Sequence, residues 1–367
     1  MHKLSIPERL LMTLLESSLK GKAPELAFKH ISDKDWKECA QLAKRQGVLA
    51  LAWDGVQKLP QELQPFKGLR ISWALAVEDY ENTYRRYCRA VDELSSFYKE
   101  HGVALVQLKG VGLSTYYPVP EHREGGDIDI FAFSADRSRL TDSQANALAD
   151  SLMEAKGIEV DHSHAKHSHF IYDGIPVENH VTFIDADRCP LTEKVEALLH
   201  RHLDPQEVEL PSGERINIPS DRFNLMFVGY HAISHYGSGL CLHHLFDWAS
   251  LLVRCGYDLP ESMKEPHFMK GLDAMTGLCN EFLGTDVPVK ANKKIMSDML
   301  EDILHPLDYR YLPDTGKWDV LKYKMRRFRH SIRSQHRFLH TPIWKNRKLW
   351  TKVTDSIKWH LTHKIDG

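Results

Sequence analysis

The chain has 367 residues, of which 42% are hydrophobic and 27% charged, and its formal net charge is −2 at pH 7. This composition is ordinary for a soluble globular protein of more than one structural unit, and it excludes a disordered chain or a protein that binds polyanions through its overall charge. The six cysteines include no C-x-x-C pair, which favours reduced thiols, and no run approaches the ~20 apolar residues of a membrane span. We therefore expect a cytoplasmic protein that does not span a membrane.

Residues 1–100 are predicted to be helical. Pro7 suits the first turn of a helix, where its missing N–H costs little, and leucines follow it at helical spacing. Ser32 is a typical N-cap residue for a second helix. A long helix is predicted over about 69–100. One face of this helix carries three tyrosines that we expect to pack on the core: Tyr80, Tyr84 and Tyr87.

The next stretch carries the most informative pattern of the chain. The apolar run 103–108 is predicted to be a strand, and a short helix is predicted over 111–117. A second strand is predicted over 127–133. Because side chains alternate along a strand, Asp127 and Asp129 are expected to point to the same side.

Two neighbouring carboxylates repel each other unless water or a divalent cation lies between them. Gly125 and Gly126 directly precede the pair and carry no side chains, so a large ligand can approach the backbone closely. Magnesium-assisted phosphoryl chemistry needs this arrangement, whereas an Asp-x-Asp pair alone more often marks a solvated strand edge.

Further elements complete an α/β core over residues 101–190. A helix is predicted over 139–156, and two strands are predicted over 167–172 and 176–183. The pair Asp173-Gly174 between these strands is a good hairpin signal.

The pattern Leu108-Lys109-Gly110 … Arg123 … Gly126-Asp127-Ile128-Asp129-Ile130 resembles the nucleotidyltransferase fold shared by DNA polymerase beta and aminoglycoside nucleotidyltransferases. Within this superfamily the pattern is closest to a bacterial family of nucleotidyltransferases with unassigned substrates. The resemblance is specific over 103–133 and looser over 134–250, and the common Gly-Ser pair is replaced by Gly110-Val111. It implies an α+β fold, with a small mixed nucleotidyltransferase-type sheet and large flanking helical regions.

The same resemblance implies roles for individual residues. The third carboxylate of such sites stands on a later strand inside a Glu-x-His, which here is Glu178-Asn179-His180. We expect Asp127, Asp129 and Glu178 to converge, to be the catalytic residues and to hold two Mg²⁺ ions. The residues expected to bind the nucleotide are Lys109, Gly110, Arg123, Gly125 and Gly126.

Helices are predicted again over 191–315, where one apolar helix carries two histidines one turn apart and the next carries a His-His pair and an aspartate. These histidines are either satisfied core residues or residues beside the cleft. The candidates on the substrate side are His180 at the cleft edge, His231, His235 and Asp247. We expect His231 or His235 to touch the substrate or Asp247. An alternative reading is a metal-dependent hydrolase with the ligands His231, His235, His243, His244 and Asp247.

Two further stretches leave alternatives open. A cluster of four histidines, which are His162, His164, His167 and His169, either binds zinc or forms a solvated strand edge. The tail 316–367 is basic and rich in aromatic residues, and over 317–367 it either binds a polyanion or packs on the more acidic body. A noncatalytic nucleic-acid-binding protein acting through this tail is the second alternative function.

The leading prediction is a Mg²⁺-dependent nucleotidyltransferase that moves NMP from an NTP, such as ATP, to a hydroxyl of an acceptor and releases pyrophosphate. The acceptor could be a small molecule, a protein or an RNA. The chain is expected to comprise an N-terminal helical region, the α/β core, a helical domain and the basic tail, over 1–100, 101–190, 191–315 and 316–367 respectively.

Overall fold

The structure, a computed structural model, describes residues 4–26, 31–136, 139–184, 190–236, 239–305, 325 and 337–339. It has the predicted α+β fold, in which a small mixed sheet is flanked by helices. The α-helices are α1 (Ile6–Lys20), α2 (Asp33–Arg45), α3 (Leu49–Gln57), α4 (Lys67–Glu100), α5 (Val111–Ser114), α6 (Asp142–Ala155), α7 (Pro190–Arg201), α8 (Asp221–His235), α9 (Leu242–Cys255), α10 (Pro266–Phe282) and α11 (Lys293–Leu304). The strands are β1 (Val103–Gln107), β2 (Ile128–Ser134), β3 (His167–Tyr172), β4 (Ile175–His180), β5 (Gln206–Glu209) and β6 (Arg215–Ile218).

The N-terminal helices form for the reasons that the sequence indicates. Ser32 caps α2, because its hydroxyl accepts a hydrogen bond from the backbone N–H of Asp35 at 3.2 Å. Helix α1 packs its leucine stripe against α2 and α3. On α4, Tyr84 and Tyr87 are buried and Tyr80 is half-buried, so the predicted packing of this face is confirmed.

The strand order of the larger sheet is β1-β2-β4-β3. Strand β2 is antiparallel to β1 and parallel to β4, and β3 and β4 form an antiparallel hairpin. The turn of this hairpin is the predicted Asp173-Gly174, where both residues have the positive φ of a type I′ turn, 48° and 69°. The parallel pairing places Asp129 directly opposite Glu178, which determines the geometry of the site described below.

The prediction that residues 191–315 are only helical is wrong, because β5 and β6 form a second hairpin there. Its turn contains Gly213 with φ 97°, a backbone conformation that glycine adopts readily. Strand β6 packs against β1 and α4 and buries Ile216 and Ile218. The signal was present, since the apolar residues alternate on both sides of a Pro-Ser-Gly turn.

Most of the basic tail lies outside the described residues, and so does its predicted contact with a polyanion. The described stretch 337–339 packs on the body. The Phe338 ring is 1% exposed and lies 4.9 Å from the Tyr236 ring, centroid to centroid. Arg337 pairs with Asp298 at 2.9 Å. Among the helices of the described residues, none combines the length and the apolar character that crossing a membrane requires.

Candidate active site

The three predicted acids converge at the β2–β4 pair. Asp127 lies just before β2, Asp129 lies within β2, and Glu178 faces Asp129 from β4. Each residue offers a carboxylate oxygen, and these three oxygens all lie within 4.8 Å of one another. This spacing is suitable for ligands that share divalent cations.

Asp129 is the most buried of the three acids, with 1% of its surface exposed. Its Oδ1 atom lies 2.9 Å from Lys109 Nζ and 2.8 Å from His180 Nε2. Burial raises the pKa of Asp129, but Lys109 and the hydrogen bond from His180 outweigh burial and hold that pKa well below its usual range. The Oδ2 atom is buried and has no hydrogen-bond partner among the described residues, a costly state that a metal ion would relieve.

Asp127 is less buried and differs in its electrostatics. Burial, reinforced by the negative charge of Asp129, raises the pKa of Asp127 to about 6. A divalent cation between the two carboxylates would offset both effects. Because the set of donors is three carboxylates, one of them with an unpaired buried oxygen, these residues fit Mg²⁺.

Glu178 is flanked by two histidines. Its Oε2 atom lies 3.0 Å from His167 Nδ1 and 3.5 Å from His180 Nε2. His180 was predicted at the edge of the cleft, and this prediction is wrong: its side chain is fully buried behind the acids. The alternation of β4 does place it on the same side as Glu178, but there its Nε2–H donates to the Asp129 carboxylate and so orients that group.

The other histidines of the four-histidine cluster do not join this group. His162 pairs with Glu154 at 3.2 Å on the surface, and the His164 ring stacks on the His167 ring at 4.3 Å. Within the described part of the chain, His167 alone of the four belongs to a group that could hold a metal ion.

Asp127 and Asp129 line a cleft of about 740 Å³. Its walls come from the end of α2, the turn after β1, the loop before β2, and helices α8 and α9. The cleft is large enough for a nucleotide-sized ligand. Apart from its two chain neighbours, no atom of the described residues lies within 4 Å of the position that a Cβ on Gly126 would take, so the backbone before Asp127 is accessible to a ligand, as expected.

Two exposed cations at the cleft, Lys44 and Arg45, were not predicted as site residues. They occupy the last turn of α2, where basic residues commonly stabilise a helix through its dipole. The last turn of α2 and the acids are far apart in sequence. Only the tertiary structure therefore shows that they line the same cleft.

Arg123 lines the cleft, but its guanidinium is already engaged. Its Nε and Nη2 donate to the two carboxylate oxygens of Asp247 at 2.8 and 3.0 Å, and its Nη1 donates to the Gly110 carbonyl at 3.2 Å. A buried guanidinium needs such a counter-charge. Arg123 therefore fixes the Gly110 turn to α9, rather than standing as an unpaired cation for phosphate.

The predicted contact between Asp247 and a histidine of α8 is not among the hydrogen bonds of the described residues, while the alternative contact of His231 or His235 with substrate stays a prediction. Arg123 and the Tyr117 hydroxyl, at 2.7 Å, satisfy its oxygens instead. The hydrolase ligand set is consequently not assembled around Asp247 in the described residues. His231 lines the cleft. His235 lies against His231, and the Nε2 atoms of the two rings are 3.2 Å apart.

A small mixed sheet that presents three converging acids to a partly basic cleft defines a protein of nucleotidyltransferase type. The family described as uncharacterised nucleotidyltransferases matches residues 32–284, more than half of the chain, and the chain belongs to this family. Among solved structures, the chain is similar to an antigenic nucleotidyltransferase-like protein from Paracoccidioides brasiliensis, with 12% identity and a TM-score of 0.36, over 57% of this chain and 96% of that one. The comparison with curated proteins gives no match.

Proposed function

We propose that this protein is a Mg²⁺-dependent nucleotidyltransferase with a DNA polymerase beta-like site. It transfers NMP from an NTP to a hydroxyl of an acceptor and releases pyrophosphate. The observation that carries this proposal is the convergence of the Asp127, Asp129 and Glu178 carboxylates, two of which line the cleft. Membership of the nucleotidyltransferase family supports it.

The three acids would hold the metal ions. When bound, Mg²⁺ polarises the triphosphate and lowers the pKa of the attacking hydroxyl. Lys109 pairs with Asp129 at 2.9 Å and lines the cleft, so its ammonium group would also counter the charge of a bound phosphate. Glu178, the third acid of the group, would be the base that accepts the hydroxyl proton.

The remaining cleft residues bind and orient the nucleotide. Lys44 and Arg45 add positive charge at the cleft, and charge of this sign favours a triphosphate. Gly125 and Gly126 allow the nucleotide to approach the backbone before Asp127. Arg123 keeps the Gly110 turn in place through its carbonyl contact.

The test is a transfer assay with the full-length protein, Mg²⁺ and each of the common NTPs labelled at the α-phosphate. Pyrophosphate release and label on the protein, on added RNA and on a small-molecule extract are measured together. We expect Asp127→Asn and Asp129→Asn to reduce transfer by at least roughly 100-fold. Glu159→Gln, which removes an exposed acid outside the site, is the matched control. Equal transfer by the wild type and Asp129→Asn would contradict the proposal.

A further inference from the structure

We infer that Cys241, His243 and His244 form a second metal site in the same cleft, specific for Zn²⁺ or a similar thiophilic divalent cation. All three residues line the cleft that contains Asp127 and Asp129. The site is separate from the carboxylate site, because it shares no residue with it. It goes beyond nucleotidyl transfer and does not depend on that proposal.

The geometry of the three side chains supports a shared ion. Their ligand atoms all lie within 4.8 Å of one another. The Cys241 sulfur lies 3.0 Å from His243 Nδ1 and 3.2 Å from His244 Nδ1. Two such ligands around a tetrahedral zinc, with Zn–S about 2.3 Å and Zn–N about 2.0–2.1 Å, would lie about 3.6 Å apart. Small outward movements of the side chains, which also release the hydrogen bond that the Cys241 backbone N–H donates to His244 Nδ1 at 3.3 Å, would therefore complete the site.

The surrounding structure keeps both imidazoles in place. The His243 and His244 rings stack with their centroids 3.9 Å apart. The backbone N–H of His243 donates to the Gln46 carbonyl at 3.2 Å. A Cβ at Gly47 would lie 2.9 Å from His243 Nδ1, so only the absence of a side chain there leaves room for this ring.

The ligand chemistry distinguishes the two sites. Thiolate and imidazole select zinc and related ions, whereas carboxylates select magnesium and manganese. Three protein ligands leave the fourth position of a tetrahedral ion for water or a substrate atom, as in catalytic zinc sites. The second site would thus present a Lewis-acidic position to a ligand in the cleft.

Cys241 also has a structural position, since it is the N-cap residue of α9. This position provides a sharp test, because serine is a better N-cap residue than cysteine but a much poorer zinc ligand. If Cys241 only caps the helix, Cys241→Ser should leave stability unchanged or raise it, and metal binding should not change. If Cys241 is a metal ligand, the same variant should lose affinity for the ion.

The experiment titrates the reduced, metal-free full-length protein with Co²⁺ and records the absorption spectrum, then measures bound zinc after Zn²⁺ loading and gel filtration. In the wild type, one equivalent of Co²⁺ should produce a thiolate-to-cobalt charge-transfer band, whatever further Co²⁺ the carboxylates bind. Cys241→Ser should abolish that band, and His244→Asn should weaken binding at least roughly 100-fold, beyond the 10–100-fold that losing an outer-shell partner costs. Circular dichroism checks that each variant is folded.

Two matched controls accompany these variants. Cys255→Ser replaces the cysteine at the other end of α9, and Asp127→Asn alters the carboxylate site. Both should retain the charge-transfer band and the bound zinc. A wild type without the band, or a band that survives in Cys241→Ser, would overturn the inference. Loss of the band in Cys255→Ser would show that the thiolate ligand is Cys255 and not Cys241, and would overturn the inference as well.

Discussion

The two aspartates of the Asp127-Ile128-Asp129 motif should have opposite effects on stability. From the sequence they look equivalent, because they share one face of a strand. In the structure, Asp127 has a raised pKa of about 6, whereas the Asp129 carboxylate is held by Lys109 and His180. We predict that Asp127→Asn stabilises the metal-free protein at pH 8 and that Asp129→Asn destabilises it.

The magnitude for Asp127 follows from its pKa. An aspartate ordinarily has a pKa of about 4, so a folded-state value of about 6 is a rise of about 2, or about 3 kcal/mol. The neutral form is favoured in the folded state. The contribution of Asp127 to stability is therefore present below about pH 4 and is lost as the pH rises through about 6. Since the side chain is partly exposed, we expect Asp127→Asn to recover about 1–2 kcal/mol of unfolding free energy at pH 8.

The expected change for Asp129→Asn has the other sign. It leaves Lys109, which is mostly buried, without its counter-charge, and it weakens the hydrogen bond of His180. Breaking a fully buried pair costs about 3–5 kcal/mol, and the partial exposure of Lys109 together with the remaining amide reduces this to roughly 2–3 kcal/mol.

Thermal unfolding with a chelator at pH 8 and pH 4.5 measures both changes. At pH 8 the midpoint should rise for Asp127→Asn and fall for Asp129→Asn, and at pH 4.5 the gain of Asp127→Asn should shrink because the wild-type carboxyl is then largely protonated. Adding Mg²⁺ should stabilise the wild type and neither variant. Shifts of the two variants in the same direction at pH 8 would refute this electrostatic description.

Three further predictions concern single contacts. Glu178→Gln should lower the transfer rate at least roughly 100-fold, whereas nucleotide affinity should change only a few-fold because Asp127 and Asp129 still hold the metal of the triphosphate. Single-turnover kinetics measure the rate, and equilibrium binding measures the affinity. Asp247→Leu should reduce the unfolding free energy by about 3–5 kcal/mol, since it leaves Arg123 buried and unpaired, and adding Arg123→Met should restore part of that loss in urea titrations. Phe338→Ala should cost about 3–5 kcal/mol by emptying the space against Tyr236, and an unchanged midpoint would mean that the described tail segment does not pack there in solution.

Local sequence patterns predicted the elements that build the site. The alternation of a strand predicted over 127–133 put Asp127 and Asp129 on one side; in the structure β2 begins at Ile128, and the two carboxylates still lie within 4.8 Å of each other. The Asp173-Gly174 turn set the β3–β4 hairpin. The proximity of Glu178 to these acids depends on the parallel β2–β4 register, which no local pattern encodes. That expectation came from the resemblance to nucleotidyltransferases, and the register provides its physical basis.

The remaining features of the cleft depend on contacts between distant parts of the chain. Arg123 and Asp247 are 124 positions apart, so the sequence could not show that one satisfies the other. The basic end of α2 reaches the cleft only through helix packing. Cys241 was not predicted to join the histidines of α9, since a C-x-H-H pattern at the start of a helix is short and weak as a metal signal.

The most direct test of the central claim counts the metal ions held by the three carboxylates. Mn²⁺, which shares the preference of Mg²⁺ for carboxylate oxygens, is titrated by electron paramagnetic resonance in the presence of a non-hydrolysable NTP analogue. We predict about two bound ions per chain for the wild type and for Glu159→Gln, about one for Glu178→Gln, and none at the site for the double variant Asp127→Asn/Asp129→Asn. The same number of bound ions in the wild type and in the double variant would contradict the assignment of Asp127, Asp129 and Glu178 as the metal site.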